Sequence, residues 1–246
     1  MTVLLLRGLG RNHRHWGPFY PELERSLGFA PNTLDLPGFG TEHADHSPLN
    51  IRDMATSVRA RHYENQDSPH KNLTIVALSL SCLVALEWLY TYPEEIHKLI
   101  LVNGSYPGFH PARYRLQKEA RIQLLRALLE RDPLRREKLI YNLVCNFPDD
   151  DGTVELWQEI ERQYPVKAIA VLRQLYAASR FRVPQFCDWK KVVLVASQKD
   201  RMVSPRCSEM LMSKAGCPLV YHETAGHDLP NDDPKWLASL VLSNTV

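Results

Sequence analysis

The stretch Leu73–Leu89, LTIVALSLSCLVALEWL, changes its periodicity once, at a single serine. Leu73 to Leu78 is an apolar run of strand length with β-branched residues, which predicts a strand buried on both faces. Leu80 to Trp88 is apolar with small residues at Ser81, Cys82 and Ala85, which predicts a buried helix. Ser79 stands between them. A strand that runs straight into a helix around one serine puts the hydroxyl on a tight bend, beside the first helical N–H groups, which lack intrahelical acceptors. Such donors stabilise an oxyanion, so the bend suits a nucleophile.

Outward from this stretch the same unit recurs. Val3 to Leu6 predicts a strand ending in Arg7-Gly8-Leu9-Gly10, followed by a helix over Tyr20 to Leu27 closed by Gly28. Asn32 to Leu36 predicts a second strand ending in a Pro/Gly turn, with a helix over Ile51 to Arg61. His97 to Asn103 predicts a fourth strand, Lys191 to Ala196 a fifth and Leu219 to His222 a sixth, with helices around Pro205 to Ala215 and from Pro234 to Leu242. Strands alternating with helices predict an α/β fold: a mostly parallel sheet of about six strands with helices on both faces. Between about Pro111 and Arg182 only helical patterns occur, over Tyr114 to Glu130, Leu134 to Cys145, Val154 to Gln163 and Ala168 to Ser179. Residues 1–110 and 183–246 therefore form the expected core, and 111–182 an inserted helical cap at the strand ends where ligands bind.

The totals narrow the function. A chain of 246 residues, 44% hydrophobic, supports one substantial core, and a net charge of +2 gives no global sign of a nucleic-acid partner. Cys82, Cys145, Cys187, Cys207 and Cys217 are odd in number and form no C-x-x-C pair, so they read as reduced thiols. Four apolar residues before Arg7 are too few for a secretory signal core, and no window has transmembrane length. A cytoplasmic protein without a membrane span is expected.

Three strand tips carry residues that can converge: Ser79, Asp200 and His227. In an open parallel sheet the loops beyond the carboxyl ends of the strands share one crevice, and the order Ser, Asp, His is the one expected of a triad on this kind of sheet. His227 would take the Ser79 proton, Asp200 would orient the ring, and the backbone N–H groups of Leu9 and Leu80 would hold the oxyanion. The bland readings are a packing serine at the bend, a turn-forming Asp200 paired with Lys199 or Arg201, and a surface histidine. Asp35, the other strand-end acid, reads as turn chemistry. His13, His15, His43 and His46 lack metal-ligand spacing and read as solvent-exposed loop residues, so no metal and no cofactor are expected. Gly38 and Gly40 do not complete a dinucleotide fingerprint.

The ordered blocks RGLG, DLPGFG, VALSLSCLVAL, LILVNG, VLVASQKDRMVSP and AGHDLPNDDP resemble the α/β-hydrolase family over nearly the whole chain outside the cap. They are similar to the small esterases, including the pimeloyl-acyl-carrier-protein methyl ester esterases. The resemblance implies a serine esterase that cleaves a carboxylic ester through an acyl-enzyme. Thioesterase, acyltransferase or carbon–carbon hydrolase chemistry is the alternative on the same triad, and a non-catalytic ligand-binding protein the alternative outside enzymes. Two departures stand out. The usual G-x-S-x-G is Ala77-Leu78-Ser79-Leu80-Ser81 here, and the usual His-Gly at the first strand tip is Arg7-Gly8.

The aromatic residues Tyr106, Phe109, Phe147 and Trp157 are expected to line an acyl pocket, against a plain core reading. Between Arg113 and Lys138 nine basic residues face four acids. That excess reads either as a solvated helix face or as a docking face, with Arg121, Arg126 and Arg131, for an acidic acyl carrier protein.

Overall fold

The computed structural model describes residues 2–64, 72–108, 115–185 and 187–245. Six strands, β1 (Thr2–Leu6), β2 (Asn32–Leu34), β3 (Leu73–Leu78), β4 (Ile96–Val102), β5 (Val192–Ser197) and β6 (Leu219–His222), form one sheet. Every neighbouring pair is parallel, in the order β2-β1-β3-β4-β5-β6. β3 is buried at every position, as its uninterrupted apolar run requires of a central parallel strand.

Alternation along the strands divides the core in two. Leu4, Leu6, Ile75, Ala77 and Leu99 pack under the helices α2 (Ile51–Tyr63) and α3 (Ser81–Thr91). Val3, Leu5, Val76, Leu78 and Ile100 face the opposite way, toward Phe19 and Leu23 of α1 (Phe19–Leu27) and, near the C-terminus, toward Leu237 and Val241. Because β1 connects to β2 on one side while β3 follows on the other, the direction of strand addition reverses between β1 and β3. In such a sheet this reversal opens a crevice at the carboxyl ends of those two strands, where Gly8 and Ser79 lie.

Between β4 and β5 the described residues form α4 (Lys118–Leu129), α5 (Pro133–Val144), α6 (Thr153–Gln163) and α7 (Ala168–Arg180), with no strand among them. Their own small core holds Ala120, Tyr141, Val154, Trp157 and Ile160. The chain ends with α8 (Arg206–Ala215), a single turn at Leu229–Asp232 and α9 (Pro234–Ser243).

Two boundaries differ from the sequence reading for a visible reason. β2 stops at Leu34 instead of Leu36, because the Asp35 carboxylate accepts the backbone N–H groups of His13 and Thr41 and draws the chain into a turn. The helix expected from Tyr114 starts, among the described residues, at Lys118, because extended Gln117 before it is held by its N–H to the Met202 carbonyl at 2.9 Å and by its side-chain amide to the Asp200 carbonyl at 2.7 Å. Residues 109–114, and with them Phe109, lie outside the described residues.

Candidate active site

Ser79 has a φ of 63°, in the left-handed region that a residue with a Cβ seldom occupies. Such a conformation costs roughly 1–3 kcal/mol and persists only where its surroundings impose it. The surroundings are specific. The Ser79 N–H donates to the Val102 carbonyl at 2.9 Å, fixing the bend to the tip of β4. Ser81, which replaces the second glycine of the familiar pentapeptide, is fully buried, and its hydroxyl reaches the Leu6 carbonyl at 2.7 Å and the Leu78 carbonyl at 2.9 Å. This hydroxyl ties the bend to the tip of β1, a contact that glycine cannot make.

Gly8 lies directly against the bend. A Cβ on Gly8 would stand 2.9 Å from both the Leu78 carbonyl oxygen and the Ser79 Cβ, so only glycine allows the approach. Leu80 follows the serine and Leu9 follows Gly8, and neither N–H donates to a backbone carbonyl among the described residues.

His227 and Asp200 meet. His227 Nδ1 and Asp200 Oδ2 are 2.7 Å apart, and both residues are buried. The other Asp200 oxygen accepts the N–H groups of Met202 and Val203 at 2.7 and 2.9 Å, so the carboxylate is held by its own turn while it faces the ring. Arg201 does not pair with Asp200; its guanidinium donates to the Cys145 carbonyl.

Two bridges tie this pair to the tips of β4 and β1. Asn103, at the tip of β4 one residue beyond the acceptor for Ser79, donates through Nδ2 to the His227 carbonyl at 2.9 Å and to the Ser197 hydroxyl at 3.0 Å. Its Oδ1 accepts the Ser197 N–H at 2.8 Å. Asn103 is itself left-handed, with φ 50°. On the other side Arg7, one residue before Gly8, forms a two-pronged buried pair with Asp228, the residue after His227. The histidine is thus held by Asn103 and, through its neighbour Asp228, by Arg7, while the serine bonds Val102 beside Asn103 and packs on Gly8 beside Arg7. Arg7, Asn103 and Asp228 escape motif reading because their signal is placement: each is a polar residue at, or next to, a strand tip already in the set.

The insertion is fastened to the same loops. The Asp228 N–H donates to the Val144 carbonyl at 2.8 Å, and Asp232 accepts the N–H groups of Asn146 and Gly226. A Cβ on Gly226 would stand 2.5 Å from the Val144 carbonyl oxygen. Burial raises the Asp232 pKa, opposed by those N–H donors. Beyond Leu9, Arg11 donates to buried Glu137 of α5 at 2.8 Å and stacks on Trp157, 4.1 Å from its ring centre.

The expectations for the histidines and for the aromatic set change on this ground, while that of reduced thiols does not. His15 is buried, not a solvent-exposed loop residue: it packs against Trp157, and burial first, then the Arg11 and Arg7 charges, hold its pKa well below the ordinary value. His13 pairs with Asp35, and His43 with the Gly40 carbonyl. Tyr106 and Trp157 are fully buried in two different clusters, whereas Phe147 is 43% exposed, so the structure does not gather these three rings into one wall. None of the five cysteines forms a disulfide, and burial pushes the Cys82 and Cys207 thiols up to about 12.

A profile of the alpha/beta hydrolase family matches residues 3–240. The chain belongs to that family. No curated protein sequence matches it significantly. Among solved structures, an esterase of Exiguobacterium antarcticum is similar with a TM-score of 0.74 at 14% identity, over 100% of this chain and 92% of that one. A hydrolase of Pseudomonas aeruginosa gives 0.72 at 20% identity, over 99% and 89%. A candidate non-heme bromoperoxidase of Mycobacterium tuberculosis gives 0.74 at 16% identity, over 99% and 91%. At these identities the likeness is one of fold, and the chemistry has to be argued from this chain's own residues. Among the described residues no helix is long and apolar enough to cross a membrane.

Proposed function

We propose that this family member is a serine hydrolase that cleaves a carboxylic ester through an acyl-enzyme on Ser79. His227 removes the hydroxyl proton as Ser79 attacks the carbonyl carbon, and Asp200 holds the ring and stabilises the imidazolium. The Leu9 and Leu80 N–H groups receive the oxyanion. His227 then gives its proton to the departing alkoxide. In the second half His227 activates water, which attacks the acyl carbon and releases Ser79 with the carboxylic acid. The residues named require no cofactor. The observation that carries the reading is the buried 2.7 Å His227–Asp200 hydrogen bond, on a loop fastened through Asn103 to the strand tip that anchors the left-handed Ser79.

The insertion acts as a cap in this reading, and Tyr106, Phe147 and Trp157 are candidates for contact with the acyl group from separate walls. The absence of disulfides among five cysteines supports a reducing, cytoplasmic setting. At the cap, the arginines where an acidic carrier protein is expected from sequence, Arg121, Arg126 and Arg131, share their surface with exposed leucines. That combination favours a different partner.

A series of p-nitrophenyl esters of increasing acyl length tests the activity. Hydrolysis should fall by about 10⁴-fold or more in Ser79→Ala and in His227→Ala. Turnover of thioesters in preference to oxygen esters would move the assignment to a thioesterase on the same residues.

A further inference from the structure

Most large apolar side chains exposed among the described residues lie on two helices of the insertion. On α4, Leu128 and Leu129 are 71% exposed, and Ile122 and Leu125 are exposed as well. Ala120 and Leu124 point the other way, into the small core of the insertion, and Ala127 is buried as well. Ile122, Leu125 and Leu129 follow i, i+3, i+7 spacing and form one solvent-facing stripe. At 100° per residue, Arg121 and Arg126 lie on opposite flanks of this stripe, each about 70° from its centre, and Lys118 continues its line at the N-terminal end. α7 repeats the arrangement with Ile169, Leu172 and Tyr176 exposed opposite buried Ala170 and Ala177, and it contains no acid. The Arg115 guanidinium, just before α4, donates to the Ala178 carbonyl, so the start of one helix meets the end of the other.

Water solvates such stripes poorly, and exposed apolar surface on this scale marks a binding face. From the stripes and their cationic borders we infer that α4 and α7 form a docking face for an anionic lipid surface. Leucine and isoleucine enter the acyl boundary while the long arginine stems let their charged heads reach the headgroups. Two features favour this occupant over the alternatives. Two-fold pairing with a second copy would apply the same patch to itself and set the Arg121 and Arg126 borders near their own counterparts. An acidic protein would satisfy the arginines, but protein interfaces draw on aromatic anchors seated in pockets, whereas this stripe is a convex row of aliphatic side chains. Of the four acids in this segment, Glu137 pairs with Arg11, Asp132 caps α5 through the Arg135 N–H and Glu130 accepts the Asp132 N–H, which leaves Glu119 in the first turn of α4 against Lys118, Arg121 and Arg126.

The test is co-sedimentation of the full chain with vesicles of phosphatidylcholine alone and of phosphatidylcholine mixed with phosphatidylglycerol. The chain should partition onto the mixed vesicles and lose that binding as salt rises. Arg121→Gln with Arg126→Gln should weaken it about thirtyfold, and Leu125→Gln with Leu129→Gln at least about tenfold. Unchanged thermal midpoints show that both double variants fold. Ser79→Ala should bind as the unaltered chain does, so the result stands apart from the hydrolase assignment. Failure to bind the mixed vesicles overturns the inference, as does binding indifferent to the leucines. Light scattering that shows a dimer dissociated by the leucine variants, or capture of an acidic acyl carrier protein without vesicle binding, equally overturns it.

Discussion

The two sides of the helical insertion obey different physics. Its inner edge, from Val144 to Phe147 with Glu137 and Trp157, meets the loops of Arg11, Arg201, Asp228 and Asp232 through directional bonds, most of them at partly buried groups, and through the stack of Arg11 on Trp157. The outward faces of α4 and α7 present leucine and isoleucine to solvent, while their inward faces pack through Ala120, Ala170 and Ala177. Polar groups without water need fixed partners, so the inner edge has one geometry and holds the histidine loop in it. Apolar side chains on an outer face impose no geometry and leave that surface available. An insertion built this way positions the site with one side and is free to recruit with the other.

The inner edge breaks hardest. Arg7→Leu leaves Asp228 buried without its counter-charge and should cost about 3–5 kcal/mol in urea unfolding. Replacing both partners by leucine should recover a large part of that loss, because no buried charge then remains. Asn103→Ala leaves the Ser197 N–H and the His227 carbonyl without their partner and should cost about 1–3 kcal/mol. In ester hydrolysis it should lower kcat more than KM if the histidine loop is the element it holds.

A pH series sharpens the same side. The folded pKa of His15 lies well below its ordinary value of 6.5, so the unfolded chain binds the extra proton first as pH falls. The stability due to neutral His15 is complete above pH 6.5 and is lost as pH drops below that value toward the folded pKa. His15→Asn should flatten the fall of the thermal midpoint between about pH 7 and about pH 5. The outer side should yield least: Leu129→Ser should shift stability by no more than about 0.5 kcal/mol, since the side chain is 71% exposed. A larger loss there would mean that the stripe is packed in solution, and the contrast between the two sides would fail.

Much of this was readable in the chain because periodicity reports burial. The run Leu73–Leu78 could only be a central strand, and the alternation around it set the sheet and the place of the helical insertion. The bend at Ser79 was legible as well, but not the role of Ser81, read as a small residue that merely fits where it supplies two hydrogen bonds. The salt bridge from Arg7 to Asp228 joins residues 221 apart, and no local pattern encodes a pairing over that distance. His15 looked like a loop histidine because three others lie near it; its burial depends on Trp157, which arrives with the insertion. The basic excess in α4 and α5 was countable, whereas the outward turn of the leucines between the arginines depends on how α4 packs on the rest of the insertion.

The central claim is that Ser79 is a nucleophile activated by His227. Incubation with a fluorophosphonate followed by intact-mass measurement tests it directly. The unaltered chain should gain the mass of one phosphonyl group and Ser79→Ala none, with the adduct mapped to the peptide carrying Ser79. A chain that takes up no adduct, or a Ser79→Ala variant that is still labelled, would contradict the account.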